Sequence, residues 1–317
     1  MKLLVLREGV HGQNATGYAT RLRERLPDHE IVHARTREAE VREIVDAEVV
    51  TGPRIDEDLL GHARRLDLFA GAYAGHSHLP LDALADRGVA VTNAVGVHAP
   101  NVAEHAVGSV LAFAREFREG YRREQNREWR PYAVGELQGS TVTVVGLGCI
   151  GSAIVERLAP FGVETVGVRA NPEAGGPTDT VRGPDGLPDA LANTDYLVLA
   201  CPLTDATRGL VDHDAFLTLP ADAVLVNVAR GAVVDTDALV SALRRNQIRG
   251  AALDVTDPEP LPPEHPLWGF ENVQVTPHLA GATPKYYDRL TDIVAGNVTR
   301  LAAGESLKNR VSPAESD

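Results

Sequence analysis

The sequence predicts an α/β protein of two parallel-sheet domains, the larger one doubly wound and the smaller one discontinuous along the chain. Three observations carry this. Short apolar runs alternate with helical patterns from end to end, the order expected of βαβ units. A glycine-rich turn, Gly146–Gly151, falls directly between an apolar strand and a helix. The 317 residues, 44% hydrophobic and 24% charged, suffice for two domains of roughly 100–200 residues with real cores.

Taken in order, the first half opens with a strand at Lys2–Arg7 and a helix near Tyr18–Leu26. Further strands are expected at Ile31–His33, Val49–Thr51, Leu66–Ala70 and Val89–Thr92, making a small flavodoxin-like α/β domain. A long helix follows near Ala99. Asn101 is placed to cap it with Glu104 in the capping-box position, and Val102, Ala106, Val110, Ala114 and Phe117 recur at helical spacing. The second half predicts six strands: Thr141–Val145, Glu164–Val168, Tyr196–Ala200, Ala223–Val228, Gly250–Val255 and Val273–Thr276. Six is the strand count of a doubly wound domain. After Gly281 a helical pattern runs through Leu301 and is expected to return to the first domain. The expected boundaries are therefore 1–98 with 283–317, and 99–282.

Composition excludes several classes. A net charge of −13 lacks the basic footprint that nucleic acid requires. No apolar run approaches the ~20 residues needed to span a bilayer, and MKLLVLREGV is charged too early for a signal peptide, so a cytoplasmic location is expected. Two cysteines, Cys149 and Cys201, are too few for a disulfide framework and are expected to be small buried apolar residues. Lysine occurs only at positions 2, 285 and 308. Such an acidic, lysine-poor surface fits a salt-rich cytosol, and fits a GC-rich genome equally well; unimpaired stability and activity in salt-free buffer would sink the halophilic reading.

Gly146-Leu147-Gly148-Cys149-Ile150-Gly151 matches G-x-G-x-x-G, following the strand Thr141–Val145 and preceding a helix at Ser152–Phe161. In that context it is a dinucleotide fingerprint: the first glycine makes the tight turn, the second admits pyrophosphate, and the third lets helix and strand pack. NAD binding calls for an acidic residue at the end of the next strand. That strand ends instead in Val168-Arg169-Ala170-Asn171, where Arg169 suits a 2′-phosphate and Asn171 can donate a hydrogen bond. NADP is therefore expected, with NAD possible.

Ligands of doubly wound sheets bind outside the carboxyl ends of the strands. The later strand ends here carry Arg230, then Asp254 with Glu259 just beyond, then His278. Reduction of a 2-keto acid needs a bidentate cation for the carboxylate, a proton donor for the carbonyl oxygen, and a carboxylate to orient that donor. Arg230, His278 and Glu259 match those roles in turn. His76-Ser77-His78 brings two histidines close together without a third ligand, so no metal site is expected. Trp268 is expected to be a packing residue.

These blocks resemble the D-isomer-specific 2-hydroxyacid dehydrogenase family over nearly the whole chain, most strongly from Asn101 to Thr283. Asn101-Val102-Ala103-Glu104-His105-Ala106, Pro202-Leu203-Thr204 through Thr207, Val226–Gly231, Ala252–Val255 with Glu259-Pro260, and Thr276-Pro277-His278 carry the likeness. The resemblance implies a reversible 2-ketoacid reductase with Arg230 on the substrate carboxylate and carbonyl, and His278 as acid/base beside Glu259. Besides Arg169 and Asn171, it implies cofactor contacts at Gly146, Gly148, Cys149, Ile150, Gly151, Cys201, Pro202, Thr207, Val228, Ala229 and His278, with Asp254 on the nicotinamide carboxamide. Tyr73, Ala74 and Gly75 resemble the loop whose backbone N–H groups hold the substrate carboxylate. A homodimer with a closing interdomain cleft is also implied. Arg169 departs from the family's usual acidic residue, and with the sequence ending at Asp317 no regulatory domain like that of longer relatives is expected. A non-catalytic nicotinamide sensor on the same fold is the alternative, against which the intact Arg–Glu–His set argues; formate or phosphite dehydrogenase is a third reading.

Overall fold

The computed structural model describes residues 1–312 and divides the chain into two compact units, Met1–Val97 with Thr283–Asp317, and His98–Ala282. Residues 313–317, part of the expected 283–317 span, lie outside the described residues.

The first unit begins β1 (Lys2–Val5), α1 (Ala15–Arg25), β2 (Glu30–His33), α2 (Arg37–Glu43), β3 (Val49–Gly52), α3 (Glu57–His62), β4 (Leu68–Gly71), α4 (Leu81–Ala85) and β5 (Ala90–Thr92). Three of these helix starts have a local cause: Asn14, Thr36 and Asp56 accept backbone N–H bonds as caps for α1, α2 and α3.

The second unit holds α5 (Ala99–Ala114), α6 (Phe117–Gln125), β6 (Thr141–Val145), α7 (Cys149–Leu158), β7 (Glu164–Val168), β8 (Thr180–Arg182), α8 (Leu187–Leu191) and β9 (Tyr196–Leu199). It continues with α9 (His213–Thr218), β10 (Val224–Asn227), α10 (Thr236–Arg244), β11 (Gly250–Leu253) and β12 (Val273–Val275). The chain then returns to the first unit as α11 (Tyr286–Ala302) and β13 (Arg310–Val311).

The first sheet has the order β13-β5-β4-β3-β1-β2, parallel except for β13. Leu3 and Val5 face α1 and α11, where Tyr18, Leu22, Leu290 and Val294 are buried. Leu4, between them, faces the opposite cluster with Val50, Leu59 and Phe69, the period of two expected of a strand buried on both sides.

The second sheet has the order β12-β11-β10-β9-β6-β7-β8, all parallel. Leu197, Leu199 and Leu225 pack on one face with Phe216, Leu239 and Leu243; Val144, Val198 and Val226 pack on the other with α5 and α7. The strand order reverses between β6 and β9, which is the topological switch point of a doubly wound sheet.

Several expectations need correction. The sheet has seven strands rather than six, because Thr180–Arg182 adds an edge strand. Three residues with no fully buried side chain carry too little apolar pattern to announce a strand. Asn101 and Glu104 form no capping box: Pro100 starts the helix early, with His98 at the cap, and Asn101 donates instead to the carbonyl of Ala280 at 2.6 Å. Phe117 does not continue that helix, since Glu116 turns left-handed (φ 52°) and starts α6, leaving Phe117 exposed. Trp268 is half exposed, its indole N–H donating to the Pro262 carbonyl at 2.9 Å. Cys201 is buried but Cys149 is exposed, because it opens α7 at the carboxyl edge of the sheet rather than facing its core.

Candidate active site

The fingerprint turn is fixed by sterics. Gly146 has φ +94°, and a Cβ there would lie 2.6 Å from the backbone of Cys201, at the end of the neighbouring β9. A Cβ at Gly151 would stand 1.8 Å from the Gly146 carbonyl oxygen. A Cβ at Gly148 would meet nothing within 4 Å, so backbone there faces open space. Gly148 caps α7 without a side-chain bond, and the first helical residues are the exposed Cys149 and the half-buried Ile150. Two glycines demanded by packing, a third beside open space and a helix N-terminus make a cradle that fits a pyrophosphate.

Around the switch point, burial pushes the Cys201 thiol above its ordinary pKa. Thr207 closes the following loop on itself: its hydroxyl donates to the Pro202 carbonyl at 2.6 Å and accepts the Thr204 N–H at 2.8 Å. Arg169 follows β7 and donates through Nη1 to the Gly175 carbonyl at 2.5 Å, with no carboxylate partner among the described residues. Asn171 is exposed in the same loop.

Arg230 follows β10 on a loop shaped by a residue that sequence reading missed. The buried Asn227 side chain donates to the Arg230 carbonyl at 3.0 Å and accepts the Ala229 N–H at 3.0 Å. Val228 and Ala229 are buried, while Arg230 is exposed and donates to the Ala229 carbonyl at 2.7 Å. Gly231 then packs against the loop after β11, where a Cβ would come 2.0 Å from the Thr256 carbonyl. The loops bearing Arg230 and Glu259 are thereby in van der Waals register.

His278 sits beyond β12 with φ +50°, a left-handed conformation that a histidine rarely takes. Asp254 braces it. The Asp254 carbonyl accepts the His278 N–H at 2.8 Å, and its buried carboxylate accepts the Thr276 hydroxyl at 2.6 Å and the N–H groups of Leu279 and Ala280 at 3.0 and 2.9 Å. His105 of α5 reaches the same cluster, 3.2 Å from the Thr276 hydroxyl. So held, His278 Nδ1 lies 2.6 Å from Glu259 Oε1. The imidazole is about half exposed, with Nε2 left for other chemistry.

In the other unit, Tyr73, Ala74 and Gly75 form a turn after β4. The carbonyls of Tyr73 and Ala74 accept the Ala94 N–H (3.0 Å) and the Asn93 side chain (2.7 Å), whereas the N–H groups of Ala74 and Gly75 have no acceptor among the described residues. His11, whose pKa burial lowers, stands edge-on to Tyr73. His76-Ser77-His78 lies in this turn region rather than in a strand, and the His78 ring meets the Pro53 carbonyl at 2.8 Å.

Residues 107–280 match the model for the D-isomer specific 2-hydroxyacid dehydrogenase, NAD binding domain. The glyoxylate reductase of Thermofilum pendens is 36% identical over 262 residues, 80% of this chain and 76% of that one. The glyoxylate reductase/hydroxypyruvate reductase of Mus musculus is 34% identical over 267 residues, 81% of each chain. The structure of a D-isomer specific 2-hydroxyacid dehydrogenase from Xanthobacter autotrophicus Py2, in complex with NADPH and MES, is 30% identical with a TM-score of 0.77 over 98% of both chains. The chain belongs to the D-isomer specific 2-hydroxyacid dehydrogenase family.

Proposed function

We propose that this NAD(P)-dependent 2-hydroxyacid dehydrogenase works as a reductase of small 2-keto acids, with NADP(H) preferred, and that glyoxylate and hydroxypyruvate are the first substrates to try. The 2.6 Å contact between His278 Nδ1 and Glu259 Oε1, on the same sheet edge as Arg230, carries this reading. The nicotinamide cofactor, when bound in the glycine cradle, supplies or removes the hydride. Arg230, exposed and without a carboxylate partner among the described residues, takes the substrate carboxylate and polarises the carbonyl. His278 gives its Nε2 proton to the carbonyl oxygen during reduction and takes it back during oxidation, while Glu259 holds the ring by Nδ1. Asp254 is assigned to the nicotinamide carboxamide as well as to bracing His278.

Relatives named glyoxylate reductase support the substrate class, and Arg169 supports NADP. A panel of glyoxylate, pyruvate, hydroxypyruvate and longer keto acids, each with NADPH and NADH, tests both. Absence of turnover across the panel would remove the enzyme reading in favour of a nicotinamide sensor, and a higher kcat/KM with NADH would overturn the cofactor choice. A homodimer is part of the proposal: Phe117, Tyr121, Trp129 and Val134 lie exposed within one stretch of chain, apolar side chains that a second copy would cover. Sedimentation equilibrium showing a monomer at micromolar concentration would exclude it.

A further inference from the structure

Strand β8, which the sequence did not announce, places a second arginine beside Arg169. In the parallel pair of β7 and β8, Val168 stands opposite Arg182, so both strands end at the same level on the carboxyl edge. The Arg169 N–H donates to the Arg182 carbonyl at 3.1 Å, making the two arginines neighbours across one backbone hydrogen bond. Their loops also touch: a Cβ at Gly183, just after β8, would be 3.5 Å from the Pro172 ring, which belongs to the loop after β7.

The Arg182 side chain is held in place but not satisfied. Its stem lies over Gly186, where a Cβ would meet the Arg182 Cβ, Cδ and Cγ at 3.1, 3.3 and 3.5 Å. Its Nε is buried without a hydrogen-bond partner, and its Nη1 is 3.7 Å from the exposed Asp189 carboxylate, beyond hydrogen-bond range. Arg169 spends one N–H on Gly175 and has no carboxylate among the described residues. Two under-used guanidiniums thus stand on adjacent strand ends, in a chain of net charge −13.

We infer that Arg182 is the second arm of the 2′-phosphate site, so that an adenosine 2′-phosphate is held by guanidiniums from two successive strand ends, Arg169 and Arg182. This rests on the NADP reading above and deepens it. A phosphate monoester near neutral pH carries close to two negative charges and three acceptor oxygens, more than one guanidinium satisfies. Pairing at β8 also explains why a three-residue strand is worth forming at the edge: it delivers Arg182 to the level of Arg169.

Titration calorimetry of the full chain with adenosine 2′,5′-bisphosphate and with 5′-AMP tests this without turnover. The wild type is expected to bind the bisphosphate at least about tenfold more tightly than 5′-AMP. Arg182→Gln is expected to weaken bisphosphate binding by about tenfold, the worth of a charge-assisted hydrogen bond, and to leave 5′-AMP binding unmoved. Arg182→Lys, a point charge without the fork, is expected to lose less, and it carries the test if the glutamine variant fails to fold. If the wild type keeps its preference while both variants bind the bisphosphate normally, or lose both ligands equally, Arg182 is not an arm and the NADP reading stands on Arg169 alone. If the wild type does not prefer the bisphosphate, the NADP reading itself falls and takes this inference with it.

Discussion

The two sheets end differently at their carboxyl edges. In the sheet of the second unit, charged side chains are presented by buried polar braces: Asn227 shapes the turn before Arg230, and Asp254 with Thr276 fixes the turn of His278. In the sheet of the first unit, charges at the corresponding edge are spent on each other. Arg54 donates to Glu8 at 2.7 Å through Nε and holds that carboxyl below its ordinary range, and Arg7 and Arg37 lie 3.7 and 3.8 Å from the buried Glu40. At that edge the backbone N–H groups of Ala74 and Gly75 have no acceptor among the described residues. On the proposed function, the second unit's edge does the proton and charge chemistry.

Substitutions are expected to rank by that contrast. The largest effect is expected from His278→Gln, which should lower kcat by about 10²-fold or more while leaving NADPH binding by fluorescence titration intact; a near-normal kcat would refute the proton role. Arg230→Gln should come next, with kcat/KM for a keto acid falling roughly 10–100-fold through loss of charge-assisted hydrogen bonds. Asn227→Ala should sharpen the contrast from below: it touches no substrate, yet freeing the Arg230 loop should cost about tenfold in kcat/KM, with a buried hydrogen-bond pair worth ~1–3 kcal/mol lost from stability. Gly231→Ala must push the Thr256 carbonyl aside and is expected to destabilise by roughly 1–3 kcal/mol, read as a melting temperature several degrees lower. The smallest effect should follow Arg54→Ala, since an exposed ion pair adds little to stability; its melting curve should overlay that of the wild type.

How legible was all this in the sequence? The fingerprint was, because Gly146 and Gly151 are required by local backbone contacts that a short motif encodes. Arg230, Glu259 and His278 were visible as charges at strand ends, where topology alone gives them meaning. Their braces were not. Asn227 reads as one more polar residue, and nothing in Thr276-Pro277-His278 announces that Asp254, 24 residues before His278, folds that turn around its own carboxylate. The Asn101 expectation failed because a good capping residue competes with Pro100, which is pre-set for the first turn and moved the start upstream. Strand β8 was invisible because its reason to exist is the neighbour it pairs with, not its own pattern.

The return of α11 and β13 to the first unit has a consequence for how the chain matures. The Tyr287 hydroxyl accepts the Val10 N–H at 3.0 Å across 277 positions, α11 covers α1, and β13 closes the sheet beside β5. A ribosome releases the second unit's sequence whole before it releases the piece that completes the first. The earlier-made half must therefore wait, its Leu3–Val5 face covered by α1 alone, until α11 emerges. Synthesis order and completion order are inverted: the half that starts first is finished last.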